Sequence, residues 1–438
     1  MTLNIPAPKR YANAMIIHFI LAALFLPTYW TEYWHYCYQD YIFTNVIGTL
    51  ITINIFLHWK FDLKPNILPA ALLSLGVISY NITSFYIYYA NPDRFFWKKD
   101  HLNVTLAFLF FIALLVMKDA RSLITDKVIR WTIRGIIVTN LLAIILRLFG
   151  YSHVQMMCFH FWKVPYDSEV NNFLGWFCRD ASEYAFLLLL FMSFFIVYKD
   201  LFINKWTYLV SQLLLLICLS LTNSTTFLLA AGILFACQMA HSLIHKKQIP
   251  QKYVWISFPC SMLLLACMFS VLFSKVNTFS QKSLILKGIW RIIKDEPLGR
   301  GTTFGVVSYY VDGVKGAIDQ AHNVFLNHML RHSLPVGIIF TLMFAAIIIC
   351  AFLRKPTYQT FGIWTALLIL LNMNYSLQTV HLPLTLFLIY CIFFLPQKQS
   401  EASAEITQTA PIKSKPNQTE PQTFEIFDLD ETTTERRK

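Results

Sequence analysis

Long apolar runs alternate with short polar segments along most of this chain. A helix needs about 20 apolar residues to cross the hydrocarbon core of a bilayer, and these runs have roughly that length. The pattern therefore predicts an all-α polytopic membrane protein with about twelve transmembrane helices. The expected spans are residues 12–30, 42–58, 67–89, 101–117, 128–149, 181–198, 206–221, 225–241, 253–273, 333–353, 358–374 and 379–395.

The composition agrees with a membrane protein. Hydrophobic residues make up 56% of the chain and charged residues only 14%, whereas about a quarter of an average soluble chain is charged. The first run follows Lys9 and Arg10 without a small-residue cleavage site, so we interpret it as a retained span rather than a signal peptide.

The cations of the short loops predict the orientation, because cytoplasmic loops of membrane proteins are enriched in Lys and Arg. The loops HWKFDLK, KDARSLITDK, YKDLFINK, HKKQIPQK and RKP each carry two or three cations, and the turns on the opposite side carry none. The outer loop NPDRFFWKKD is the exception. We expect both termini in the cytoplasm.

The organisation follows from this topology. Residues 1–395 form the transmembrane domain, and residues 396–438 are polar and predicted to be a disordered cytoplasmic tail. Two outer loops are long, at about 150–180 and, between spans nine and ten, 274–332. The net charge of +12 reflects the cytoplasmic loops, and nothing in the sequence indicates nucleic-acid binding. Cys158 and Cys178 share the first long loop and either form a disulfide or fill apolar space.

The outer loop 274–332 carries eight cations and four acids, a surface suited to an anionic group or to lipid phosphates. Its segment QKSLILKGIWRIIK has helical periodicity, with Lys287, Arg291 and Lys294 on one face. Leu286, Ile289, Trp290 and Ile293 are expected on the opposite face. Lys282 falls in the middle of that apolar face, and a cation directed inward needs an anionic partner.

A glycine-rich turn follows the predicted helix, in DEPLGRGTTFG. Pro297 is expected to end the helix, and Arg300 lies between two glycines that permit a tight backbone. Such a turn places a cation where it can project into a cleft.

Three histidines close the loop, in AHNVFLNHMLRHS. His328 and His332 have a zinc-compatible spacing, but no further ligand completes a metal shell, and we predict no metal and no cofactor. We expect His328 and His332 to lie at the membrane interface. His322 differs because it stands where loop becomes helix, and a neutral imidazole there can accept a proton from a sugar hydroxyl.

The stretch GIWRIIKDEPLGRGTTFG, followed by AHNVFLNHMLRHSLPVGIIF, resembles the signature of the bacterial O-antigen ligase and polymerase family. LTNSTTFLLAAG and GWFCRDASEYAFLLLL resemble two further elements of that family. Their order and predicted membrane side match it too, so the resemblance covers about residues 10–395.

The resemblance implies a metal-independent inverting glycosyltransferase on the outer side of the bacterial cytoplasmic membrane. Its donor is a glycan on undecaprenyl pyrophosphate, and its acceptor is the lipid A core of lipopolysaccharide or a lipid-linked glycan. The histidine of the H-N pair, here His322, is the expected base. The resemblance further implies that Lys282, at the position of the family's arginine before the loop helix, contacts the pyrophosphate. Arg300, Arg291 and Arg179 are expected to contact it too, and Asn323, Asp180 and Ser224 are expected to support the substrate.

One position departs from the family pattern, since Thr225 replaces the arginine that normally follows the serine of the second element. Arg179, Arg291 or Arg300 could supply the missing charge. The modest first outer loop favours a ligase, whereas the spacing of Arg291 and Gly301 resembles a polymerase, and both activities stay open. A protein O-oligosaccharyltransferase fits less well, since its additional C-terminal region is replaced here by the polar tail. A transporter or flippase is the alternative from another class.

Overall fold

The computed structural model describes residues 7–25, 39–62, 66–92, 99–148, 181–222, 225–246, 277–298, 307–311, 314–318, 321, 323–373, 377 and 381–396. The chain divides into two units, Met1–Pro396 and Gln397–Lys438. The second unit lies outside the described residues, so the disordered tail stays a prediction.

The described part of the first unit is almost entirely helical. Its helices are α1 (Ala7–Phe25), α2 (Gln39–His58), α3 (Ile67–Ala90), α4 (Lys99–Val116), α5 (Ala120–Leu123), α6 (Asp126–Leu148), α7 (Ala181–Val197), α8 (Lys205–Leu221), α9 (Thr225–Lys246), α10 (Asn277–Asp295), α11 (Val324–His332), α12 (Leu334–Arg354), α13 (Tyr358–Met373) and α14 (Leu382–Ile389). A 3₁₀ turn (Lys199–Leu201) precedes α8, and a π-helical turn (Tyr390–Phe394) continues α14.

Each predicted span except the ninth coincides with one of these helices; the ninth, 253–273, lies outside the described residues. Four of the described helices are long and apolar enough to cross a membrane, namely Ile67–Ala90, Asp126–Ile145, Thr226–Ile244 and Leu334–Arg354. Several others, such as Ser182–Val197, are apolar but shorter. The helical membrane architecture is therefore supported, and the number of twelve spans stays a prediction.

The centre of the bundle is built from helices that are apolar on every side. All side chains of α7 from Glu183 to Ile196 are buried, and so are those of α14 and its π-helical turn. A helix without a polar face is stable in a protein core or in lipid, and here neighbouring parts of the protein cover it. The peripheral α3 instead exposes Leu75, Phe85 and Tyr89, as expected of a helix that contacts lipid.

Hydrogen bonds join several helix ends on the predicted cytoplasmic side of the bundle. The Asn66 amide, next to α3, donates to the Leu115 carbonyl of α4 at 2.7 Å and accepts from the Arg354 guanidinium at the end of α12. Lys355 Nζ donates to the carbonyl of Ile392 at 3.1 Å. α11 joins the opposite end of α12, about 30 Å away for a helix of this length. The predicted outer loop is therefore well separated from the predicted inner loops.

A two-stranded antiparallel hairpin departs from the all-α prediction. Strands β1 (Val307–Val311) and β2 (Val314–Ile318) pair with Val311 opposite Val314. The sequence between them is Asp-Gly, the dipeptide most typical of a tight hairpin turn, and it is flanked by β-branched and aromatic residues. The described part of the long predicted outer loop thus has one helix and one hairpin before α11.

Candidate functional site

The candidate site centres on the start of α11, where the AHN segment lies. Asn323 is the N-cap residue of α11, and its side-chain oxygen accepts a hydrogen bond from the Leu326 amide at 2.9 Å. The Ala321 amide donates to the Asn327 side-chain oxygen at 3.2 Å. His322 itself lies outside the described residues, but both of its chain neighbours are fixed and buried. The predicted boundary between loop and helix is therefore confirmed at Asn323.

The same Asn323 side chain links α11 to α13. Its Nδ2 donates to the carbonyl of Asn372 at 3.3 Å and to the side-chain oxygen of Asn372 at 3.1 Å. Asn323 therefore uses its oxygen to cap α11 and its nitrogen to hold the last turn of α13. A single side chain with both a donor and an acceptor is needed for this pair of tasks.

The amphipathic helix α10 packs against the AHN segment. Ile289 and Ile293 of α10 form a small apolar cluster with Ala321 and Leu330. The chain segment after α10 reaches the same corner, because the Leu334 amide donates to the Pro297 carbonyl at 2.9 Å. The two separate parts of the sequence motif are thereby brought together in space.

The opposite face of α10 carries its cations. Lys287, Arg291 and Lys294 are exposed, as the periodicity predicts. Trp290 was expected on the apolar face but is 40% exposed, with Lys294 Nζ 5.8 Å from the centre of its ring. Ile285 and Ile292 contact the apolar cluster instead, since the buried stripe is rotated slightly from the predicted one. The side chain of Lys282 lies outside those the structure describes.

The connection between α11 and α12 is unusually tight. Ser333 is the only described residue other than glycine with a positive φ, at 96°, and its hydroxyl caps α12 by accepting from Val336 N. A Cβ placed on Gly337 would lie 2.6 Å from both Cα and N of Met329. Only a glycine permits this approach of α12 to the backbone of α11, so the corner is fixed by Ser333 and Gly337 together.

His328 and His332 were expected to face the membrane interface, but both side chains lie inside the protein. Both are buried, with exposed fractions of 7% and 4%. Nε2 of His328 lies 2.9 Å from the Tyr80 hydroxyl, and Nδ1 of His332 lies 2.8 Å from the Tyr88 hydroxyl. The two rings therefore join α11 to α3 as buried hydrogen-bonding groups.

A third imidazole completes this arrangement. The His101 ring of α4 stacks on Tyr80, with ring centres 4.5 Å apart, and its Nε2 lies 3.2 Å from the side-chain oxygen of Asn81. We call Tyr80, Tyr88, His101, His328 and His332 the Tyr–His cluster. Burial is the main cause that lowers the pKa of His328 well below its usual value, with smaller contributions from His332, His101 and Arg331. The His328 ring is therefore neutral at physiological pH.

A second buried polar pair joins α7 to α14, and the sequence analysis did not single it out. The Glu183 carboxylate hydrogen-bonds Nδ1 of His381, and both side chains are almost completely buried. Glu183 belongs to the same motif as Arg179 and Asp180, whereas His381 stands in a loop without other signals. In the sequence, a glutamate at the start of a predicted apolar helix is the signal from which this pair could have been identified.

Several predicted site residues lie outside the described part of the chain: His322, Arg300, Arg179, Asp180 and Ser224. The cysteines Cys158 and Cys178 do too. Of the predicted contacts, the structure places Arg291 on the exposed face of α10 and Asn323 on the adjoining end of α11. Among the described residues, no group of three or more His, Cys, Asp or Glu side chains is arranged to hold a metal.

Comparison with known proteins leaves the family open. The chain matches no protein-family model, and no curated protein is similar to it.

Proposed function

We propose that this protein transfers a glycan from undecaprenyl pyrophosphate to a sugar hydroxyl at the outer surface of the membrane. The observation that carries the proposal is the packing of α10 on the AHN segment through Ile289, Ile293 and Ala321. It joins the cation-bearing helix of the motif to the residue position that the motif assigns to the base. If α10 and the AHN segment were unrelated parts of the loop, there would be no reason for them to share one apolar cluster.

The proposed chemistry uses His322 as general base. Its neutral imidazole takes the proton of the acceptor hydroxyl as that oxygen bonds to the anomeric carbon of the donor sugar. The bond between the anomeric carbon and the pyrophosphate oxygen breaks, and the electron pair leaves with undecaprenyl pyrophosphate. Lys282, Arg291, Arg300 and Arg179 are the proposed cations that stabilise the leaving group, since charge-assisted hydrogen bonds to phosphate are stronger than neutral ones.

The acceptor class decides between two forms of this activity. O-antigen ligation uses a sugar of the lipid A core, and polymerisation uses the next lipid-linked repeat. We propose ligation, because the first long outer loop is modest in size.

A transporter or flippase is less well supported. Such a protein needs ionisable side chains near the middle of its spans. The buried His101 and Glu183 lie in the first turns of α4 and α7, and His381 directly precedes α14. These positions are helix ends. His18 and Arg134 lie farther inside α1 and α6, but both side chains are exposed rather than directed into the bundle.

The test is transfer in vitro by the purified full-length protein from a lipid-linked donor, in the presence of EDTA. His322→Ala should lower the rate by a factor on the order of 10² to 10⁴ without changing folding or insertion. His18→Ala is the matched control, because His18 is exposed on α1 and its Nδ1 lies 2.7 Å from the Ala14 carbonyl. Full activity of His322→Ala would refute the base, and transport without transfer would refute the enzyme.

A further inference from the structure

A groove separates α6 from α8 on the predicted cytoplasmic side, remote from α11. Its volume is about 370 Å³. Arg130, Ile133, Arg134 and Ile137 of α6 form one wall, and Phe202 and Thr207 contribute to the other. It opens beside the first turn of α8, so it lies where a helix bundle meets the surface of the membrane.

The charge in this groove is positive. Arg130 and Arg134 are one turn apart on α6, both are exposed, and Lys127 precedes them on the same face of the helix. None of the residues that form the groove is acidic. Within the described part of the chain, the ion pairs are Arg121 with Asp126 and Glu183 with His381, and neither involves a groove arginine. The Arg134 guanidinium lies 5.8 Å from the centre of the Trp131 ring, and no described carboxylate forms an ion pair with Arg130 or Arg134. The positive charge of both can therefore be complemented by an external anion.

Apart from Thr207, the remaining lining of the groove is apolar, and two exposed tryptophans adjoin the lining residues in the sequence. Ile133, Ile137 and Phe202 form the floor and walls. Ile203 and Trp206 are 85% and 75% exposed at the start of α8, and Trp131 is 41% exposed beside Arg134. Tryptophan side chains favour the boundary between headgroups and hydrocarbon. Arg134 lies about 12 Å along α6 from its first residue, so its guanidinium must reach back toward the headgroups.

We propose that this groove binds one anionic glycerophospholipid, with Arg130 and Arg134 on its phosphate and Ile133, Ile137 and Phe202 against its acyl chains. A soluble phosphate compound would satisfy the arginines but leave the apolar walls uncovered. A neutral lipid would cover the walls but leave two guanidinium groups without a net opposite charge. Only a ligand with both properties complements the whole groove. This site is independent of the proposed glycan transfer.

The experiment is native mass spectrometry and lipid titration of the purified full-length protein in mild detergent. Phosphatidylglycerol should bind with one tight site per chain, and phosphatidylcholine of the same acyl chains should bind more weakly. The double variant R130Q/R134Q should lose roughly 25-fold in affinity for phosphatidylglycerol, since each cation near an anionic surface contributes about fivefold. Raising the salt concentration should weaken binding to the wild type, because the contact is electrostatic.

The matched control is K60Q/K118Q. It removes two exposed cations from the same predicted side of the membrane, outside the groove. This control should keep the affinity of the wild type. The proposal is overturned if both double variants lose affinity equally, because the effect is then general surface charge. It is also overturned if phosphatidylcholine binds as tightly, or if inorganic phosphate competes at concentrations similar to the lipid. If R130Q/R134Q fails to fold, the single variant R130Q takes its place: it should lose about fivefold in affinity for phosphatidylglycerol, and an unchanged affinity would overturn the proposal.

Discussion

The hydroxyl of Tyr88, near the end of α3, lies 2.8 Å from Nδ1 of His332, the last residue of α11. Tyr80 and His328 repeat the contact two turns earlier on α3 and one turn earlier on α11. The helix that follows His322 is therefore held to the bundle by two parallel side-chain bridges. Its position depends on α3 as much as on its own chain neighbours.

The Tyr88–His332 bridge should be measurable as a coupling energy. Tyr88→Phe and His332→Gln should each destabilise the protein, and the double variant should cost less than their sum by about 0.5–1.5 kcal/mol. The measurement is the free energy of unfolding in mixed micelles. Tyr86→Phe is the control, because Tyr86 is 72% exposed on the same helix and should combine additively with His332→Gln. Additivity at Tyr88 as well would show that the bridge contributes nothing.

The stability of the protein should fall in mild acid. The folded state keeps His328 neutral because burial lowers its pKa, whereas an unfolded histidine takes up a proton near pH 6.5. The unfolded state therefore binds more protons below about pH 6.5, and stability declines as the pH falls further. The midpoint of thermal unfolding should be level from pH 8 to 7 and drop from pH 6.5 to 5.

His328→Gln should reduce this slope, because glutamine cannot be protonated and can still hydrogen-bond Tyr80. An identical slope in His328→Gln and wild type would contradict the assignment.

Gly337→Ala should destabilise the corner between α11 and α12. The added Cβ would lie 2.3 Å from Cγ and 2.6 Å from Cα and N of Met329, and backbone atoms cannot move aside cheaply. We expect a loss of about 1–3 kcal/mol. Gly232→Ala in α9 is the control, because no atom lies within 4 Å of its new Cβ. It should leave stability unchanged or raise it slightly, and a similar loss at both glycines would refute the packing.

Transfer should depend on the positive charge of the residues that we propose to contact the leaving group. Lys282→Arg should retain transfer, whereas Lys282→Ala and Arg300→Ala should lose most of it, because a guanidinium can replace an ammonium on pyrophosphate and a methyl group cannot. The assay is transfer in vitro at equal protein levels. Lys282→Gln as active as wild type would make Lys282 an interfacial lysine that reaches toward headgroups.

The orientation of the chain in the membrane can be measured independently with reporter fusions. A reporter active only outside the cytoplasm should work when fused after Thr303, and a reporter active only inside should work after Lys247. The opposite pair of results would reverse the topology and remove the proposed mechanism with it.

The helices could be predicted from the periodic segments of the sequence. The hydrogen-bond partners of single polar residues could not. The ends of α3, α7 and α12 follow from the sequence because the apolar runs and the residues that flank them are local signals. The hairpin was missed because its two short strands were read as part of an irregular loop. His328 and His332 were assigned to the interface because the tyrosines that bury them belong to a distant helix. A sequence shows that a histidine is present but not which hydroxyl will reach it.

The long sequence separation of the Tyr–His bridges has a consequence for biogenesis. Tyr80 leaves the ribosome 248 residues before His328, and Tyr88 leaves 244 residues before His332. At 5–20 residues per second, α3 waits roughly 12–50 s in the membrane before its imidazole partners are synthesised. During that interval, other helices, lipid headgroups or the insertion machinery have to cover the face of α3 that later contacts α11. A nascent chain interrupted before α11 would therefore lack both bridges between α3 and α11.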